Sequence, residues 1–242
     1  MFSRHNIECD PNIFDTLFQS VDFEVITDGR WGANIVDTKD GLVPIVRTTS
    51  NYNNPNQNFR SVHYDLVDKI KNTVNIPGIQ FNNAMVELYD FRYIRMGFHT
   101  DQSLDLDNNS YICIFSCYDN PSSLRTLQIQ DKVTRKLSEI SLDDGSLVIF
   151  SVETNKTHVH KIIGENNSTN QWLGITFRLS KTFIMFNNEI PYFYPNSQQL
   201  RIANDDEKRE LMRYKGIENR EISYTYPQID FTISCGDMIQ LK

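Results

Sequence analysis

The chain reads as a mainly β protein with supporting helices, and three observations carry that expectation. Short β-rich runs follow one another between residues 81 and 181, a single helical stripe precedes them, and 39% of the 242 residues are hydrophobic. Strands at this spacing, with no helices alternating between them, argue for a sandwich or barrel and against a parallel α/β sheet. A chain of this length buries roughly 70% of its unfolded surface, so it needs no staples.

The N-terminus (MFSRHNIECDP) lacks an apolar signal region. The longest apolar runs are broken well short of the ~20 residues that span a bilayer. Cys9, Cys113, Cys117 and Cys235 have no zinc-ligand spacing and read as reduced thiols. The expectation is an intracellular protein, cytoplasmic or nuclear, with no membrane partner. Residues 51–58 (NYNNPNQN) and 165–170 (ENNSTN) carry the amides and proline of loops. Phe59, Val62, Leu66, Val67 and Ile70 place one apolar stripe on a helix, which Pro77-Gly78 ends. Strands are then expected at 84–89, 110–118, 124–130, 147–152, 159–163 and 173–179, the fourth fed by a turn at 142–146. Beyond Lys181, residues 204–215 (NDDEKRELMRYK) predict a charged helix with Asn204 as N-cap and a solvated face. Alternating Ile229, Phe231 and Ile233 suggest an edge strand.

Charge limits the partners. With 24 basic against 31 acidic residues, the chain lacks the cationic excess of a dedicated duplex-binding protein, so contact with nucleic acid must be local. His99 and Asp101 are separated by one residue, and His158 and His160 lie on a later strand. Two imidazoles and a carboxylate on one side of a metal leave three positions open, as non-haem Fe(II) requires, whereas a structural zinc site is closed. Arg178 ends the apolar run that starts at Leu173. Flanked by Phe177 and Leu179, its guanidinium calls for a planar anion.

Five ordered stretches resemble the AlkB-like Fe(II)/2-oxoglutarate dioxygenases: Phe81-Asn82-Asn83-Ala84-Met85-Val86-Glu87-Leu88-Tyr89, Met96-Gly97-Phe98-His99-Thr100-Asp101, Asp144-Gly145-Ser146-Leu147-Val148-Ile149-Phe150, His158-Val159-His160-Lys161-Ile162 and Gly174-Ile175-Thr176-Phe177-Arg178. The resemblance implies a double-stranded β-helix (jelly roll) core over residues 42–181, an N-terminal segment 1–41 and a C-terminal extension 182–242. It implies Fe(II) with 2-oxoglutarate and O₂ as co-substrates. His99 and Asp101 look like the first two metal ligands. The third is His158 or His160, and His160 is preferred because Ile162 matches the aliphatic residue that follows the family's metal histidine. Tyr89 matches a tyrosine that hydrogen-bonds the co-substrate, and Arg178 the second arginine of a two-arginine motif.

Trp172 stands where the family has its first arginine, the partner of the far carboxylate of 2-oxoglutarate, and Gly174 stands where asparagine is common. A buried carboxylate left unpaired costs about 3–5 kcal/mol. Arg178 takes over the role, another cation such as Arg125 reaches in, or the site binds something else; Arg178 is favoured. The resemblance further implies oxidative dealkylation of a single-stranded or flipped nucleic-acid base under a lid formed by residues 43–59. Arg47, Tyr52 and Arg95 are candidate substrate contacts, with Phe59, Arg60 and Arg92 beside them. The alternatives are an oxygenase acting on a protein or small molecule, and a jelly-roll binding module without turnover.

Overall fold

The central strands are buried on both faces, which the sequence records as unbroken apolar runs such as Tyr111–Tyr118 (YICIFSCY). The computed structural model describes residues 1–94, 96–165 and 169–241. The N-terminal third contains β1 (Ser3–Asn6), α1 (Ile13–Phe18), β2 (Glu24–Thr27), β3 (Arg30–Val36), β4 (Val43–Pro44), β5 (Gln57–Asn58) and α2 (Ser61–Val74). The middle contains β6 (Asn83–Tyr89), β7 (Tyr111–Tyr118), β8 (Arg125–Asp131), β9 (Leu137–Leu142), β10 (Ser146–Ser151), α3 (Val152–Thr157), β11 (His158–Ile163) and β12 (Trp172–Arg178). The last part adds β13 (Phe183–Asn187), β14 (Ile190–Tyr194), β15 (Arg201–Ile202), α4 (Asp205–Glu218) and β16 (Phe231–Thr232).

The major sheet has the order β1-β10-β7-β12-β6-β3-β2, with β5 beside β3, and the minor sheet the order β11-β8-β9. His99 extends the minor sheet by one more position. Its amide donates to the His160 carbonyl at 2.9 Å, and its carbonyl accepts from the His160 amide at 2.7 Å. From β6 to β12 the chain passes back and forth between the two sheets, and the core pairings are antiparallel. That path is a jelly roll. Residues 3–36 extend the major sheet at both edges, through β1 on β10 and β3 on β6.

Alternation sorts side chains to two cores. Phe115, Leu147, Ile149, Ile175 and Phe177 face outward under α1 and α2, where Leu66, Val67 and Ile70 meet them. Fully burying a residue such as Ile70 contributes about 1.5–3 kcal/mol. Helix α2 ends at Asn75 in the left-handed region (φ 50°), just before Pro77. Phe59 precedes the helix and packs edge-on to Phe177 with centroids 6.2 Å apart. Inward, Tyr89, Ile114, Val148, Phe150 and Trp172 pack against Leu127, Ile129 and Ile162 of the minor sheet. Among the described residues no helix is long and apolar enough to cross a membrane.

Candidate metal centre

His99 and His160 are directly opposed across an antiparallel pair, so their side chains leave the backbone on the same side. Asp101 follows two residues on, and one ligand atom from each of the three lies within 4.8 Å of the others. His160 Nε2 is 3.8 Å from Asp101 Oδ1. The surroundings fix each group. His99 Nδ1 contacts the Gly97 carbonyl at 3.0 Å, which leaves Nε2 for a metal. Asn155 of α3 clamps Asp101 from both sides, accepting from its amide at 3.0 Å and donating to its carbonyl at 2.8 Å. Helix α3 is itself started by Ser151, whose hydroxyl accepts from the Thr154 amide. Phe150 packs edge-on to the His160 ring.

Burial, and then the neighbouring His99, push His160 down to about 3. Burial followed by Lys215 lowers His99 as well. Burial works against the Asp101 carboxylate, but His160, Arg178 and His99 together hold it below the usual range. The trio thus presents two neutral imidazoles and one carboxylate, the protonation states that a divalent metal needs. Asp101 Oδ2 is buried without a hydrogen-bond partner among the described residues. A cation beside it would satisfy that oxygen, so the donor set fits a 2-His-1-carboxylate iron centre.

His99 and Asp101 open onto a cavity of about 330 Å³ whose wall includes Arg30, Glu87, Phe98, Gln102, Arg178 and Lys215, with His160 buried behind them. Arg178 is 2% exposed and donates to Asn83 Oδ1 at 3.2 Å. Its Nε has no partner, and no carboxylate lies within 4.0 Å of it among the described residues. Burial lowers its pKa, and Asp101 leads the groups that support its charge. A desolvated guanidinium without a counter-ion is a receptor for an anion.

A family model described as the 2OG-Fe(II) oxygenase superfamily matches residues 36–183. The chain belongs to that superfamily. Its members use Fe(II) and 2-oxoglutarate, and the protein is a dioxygenase by membership. The structure of OsALKBH1 is similar at a TM-score of 0.47 and 14% identity, over 69% of this chain and 90% of that one. No curated protein matches the chain.

The other expected residues of this oxygenase divide clearly. Tyr89 is fully buried between the rings of Tyr93 and Trp172, and its hydroxyl donates to Glu87 Oε2 at 2.8 Å. His158 emerges on the same side of β11 as His160 but one pleat earlier, where Asp131 lies 3.7 Å away. Trp172 and Gly174 are one feature: a Cβ on Gly174 would fall 1.9 Å from the indole, so the ring lies along the strand where that side chain would stand. Arg125 does not reach the cavity. It donates to the carbonyls of Tyr93 at 2.6 Å and Asp90 at 2.8 Å, and lies over the Tyr89 ring.

The expected lid contacts require correction. Arg47 is 5% exposed, bonded through two nitrogens to Asp105 and through a third to the carbonyls of Ile229 and Phe231. It anchors the C-terminal segment and offers nothing to a substrate. Tyr52 is 2% exposed and is no surface contact, but its hydroxyl is buried over Gly32, opposite the cavity-wall residue Glu87, without a partner among the described residues. Phe59 is core, and Arg60 donates to the Gln19 carbonyl. Arg92 pairs with Asp28 and Asp90 above the Trp31 ring. Arg95 lies outside the described residues. These arginines bind carboxylates and carbonyls of distant chain segments, which sequence order does not reveal.

Sequence reasoning missed the last turn of α4. Asn219 Oδ1 accepts from the amide and hydroxyl of Thr100, and Glu218 Oε1 accepts from the amide and hydroxyl of Ser103. Lys215 donates to the Thr100 carbonyl, the peptide unit between two metal ligands. Three residues of one helix thus hold the loop that carries His99 and Asp101. The Asn204 cap marks where this helix starts, but its charged surface reads as solvated.

Proposed function

We propose that the protein is an AlkB-like oxygenase that oxidatively dealkylates N-alkylated nucleic-acid bases. The single observation that carries the reading is the Arg178 guanidinium, without a counter-ion among the described residues, in the wall of the cavity onto which His99 and Asp101 of the metal trio open. When bound, Fe(II) and 2-oxoglutarate would let O₂ act as the oxidant, one oxygen atom going to succinate as CO₂ leaves the oxo acid and the other to the substrate C–H bond; on an N-methyl group that hydroxylation ends in release of formaldehyde. His99, Asp101 and His160 hold the metal. Asn155 and the end of α4 keep their loop in shape, and Arg178 receives a carboxylate of the co-substrate. Tyr89 and the apolar rings around it exclude water from the wall behind it.

A base-binding role draws support from the cavity mouth, where Phe98 lies under the Lys161 ammonium at 4.5 Å, and from Phe91, 54% exposed and stacked by Arg92. Aromatic faces beside cations suit a stacked base. The second reading, the same chemistry on a protein side chain or small molecule, is favoured by the net charge of -7 and by the burial of Arg47 and Tyr52. All four cysteines are free, in keeping with an intracellular setting.

The test is succinate formation by purified protein with Fe(II), ascorbate and 2-oxoglutarate, with and without a methylated oligonucleotide. Stimulation by the oligonucleotide is expected. Succinate indifferent to nucleic acid supports the second reading, and metal binding without succinate removes the enzymatic one. His160→Ala should abolish metal binding in a titration while the fold persists.

A further inference from the structure

The cavity has two charged ends of different character. Near the metal ligands stands Arg178, unpaired. Toward the other end stand Arg30 of β3 and Glu87 of β6, both in the cavity wall. On β12 the residue opposite Glu87 is Gly174 and the residue opposite Asn83 is Arg178. The two ends are therefore separated by four residues, about 13 Å along the strands.

The far end holds an internal ion pair. Glu87 is 4% exposed; its Oε1 accepts from Arg30 Nε at 2.8 Å and its Oε2 from the Tyr89 hydroxyl at 2.8 Å. One carboxylate engages one guanidinium and one phenol, leaving an end with no net charge, beside which the Tyr52 hydroxyl is buried without a partner among the described residues. Burial works against the Arg30 cation, yet Glu87 together with Tyr89, Tyr52 and Tyr93 outweighs it and raises its pKa. A carboxylate arriving at this end would meet a carboxylate held in place. An uncharged tail would meet no such repulsion, and between the two ends the same sheet face offers Met85 and Thr176.

We propose that Glu87 determines which 2-oxo acid the site accepts: by occupying Arg30 and Tyr89 it takes the place of a far carboxylate, so that 2-oxo acids with an uncharged tail bind about as well as 2-oxoglutarate. The inference rests on the oxygenase reading of this site. It extends that reading from the metal to the chemical class of the co-substrate. Arg178, beside Asp101, anchors the acid near the metal in either case, and not the far carboxylate expected from the sequence; the tail is selected by Glu87.

The test uses the full chain loaded with Mn(II) under argon, so that binding is read by calorimetry without turnover. The ligands are 2-oxoglutarate and 2-oxopentanoate, which has the same chain length and a methyl group in place of the far carboxylate. The wild-type dissociation constants should agree within about threefold. Glu87→Gln should tighten 2-oxoglutarate by about tenfold or more and leave 2-oxopentanoate within about twofold, because the amide still accepts from Tyr89 but no longer repels. As a second variant, Arg30→Met should weaken 2-oxoglutarate by about tenfold or more and 2-oxopentanoate much less. A wild-type preference for 2-oxoglutarate of about a hundredfold overturns the proposal, as does an unchanged ratio of the two ligands in both variants. If Mn(II) binds but neither acid does in any variant, the co-substrate reading fails and takes this proposal with it; that result is distinct from one in which both acids bind and only the ratio is wrong.

Discussion

The two faces of the major sheet are made from the same strands and do opposite things. Outward, Cys113, Phe115 and Cys117 of β7 join Phe177 of β12 and the helical residues Leu66 and Ile70 in an apolar layer. Its buried histidine, His63, is satisfied: Ser20 Oγ lies 2.9 Å from Nε2 and the Arg60 amide donates to Nδ1. On the inner side, Ser116, Trp172 and Arg178 each bury a polar atom with no partner among the described residues, and Asp101 and His160 do the same on the facing side. Buried polar groups are normally paired. The outer layer is apolar and satisfied, whereas the inner side keeps hydrogen-bonding capacity, including Asp101 and Arg178 in the cavity wall, where a ligand could use it.

The largest effect should come from breaking the outer layer. Phe177→Ala removes a ring that meets Phe59 and Phe81 and should cost about 3–5 kcal/mol in urea unfolding; a loss under about 1 kcal/mol would mean the helix-covered layer is not the main support. Asn155→Ala strands the Asp101 amide and carbonyl, and should lower stability by about 1–3 kcal/mol and weaken metal binding in a titration. Arg178→Met sharpens the contrast because its sign differs. Thermal stability should hold or rise, since an unpaired buried cation is removed, while 2-oxoglutarate affinity falls by about tenfold or more in calorimetry with metal still bound. An unchanged affinity takes Arg178 out of the site. The smallest effect is on pH dependence. Burial, then Arg60, pushes His63 down to about 4 from 6.5, so the unfolded chain takes up that proton first. Stability should be complete above about 6.5 and decline as pH falls toward 4, and His63→Gln should flatten that part of a Tm profile.

Much of the jelly roll was legible because its strands are apolar on both faces and bounded by turns. The expected strands at 84–89, 110–118 and 173–179 fall within a residue of β6, β7 and β12. β9 was not expected because five of its six residues are exposed or half-exposed, and it owes its place to pairing with β8. Strands β2 and β3 were missed for a related reason, since β3 is ordered by docking on β6 and β2 by docking on β3. The short alternation at 229–233 narrows to a two-residue strand, β16, paired with β15 in parallel. The metal trio was legible because a His-x-Asp spacing and a strand histidine carry local information. The parts that were not legible depend on contacts between distant segments: Arg47 on Asp105, Arg30 on Glu87, and α4 on the loop after His99.

That last contact bears on how the protein can be cut or transplanted. The stretch recognised by the family model stops at residue 183, well ahead of Lys215, Glu218 and Asn219. A fragment trimmed to the recognised stretch would carry every metal donor yet lack the clasp on the peptide units of Thr100 and Ser103. The catalytic signature and the machinery that shapes it are therefore not coextensive, and a chimera that borrows the first without the tail would inherit donors with no fixed stance.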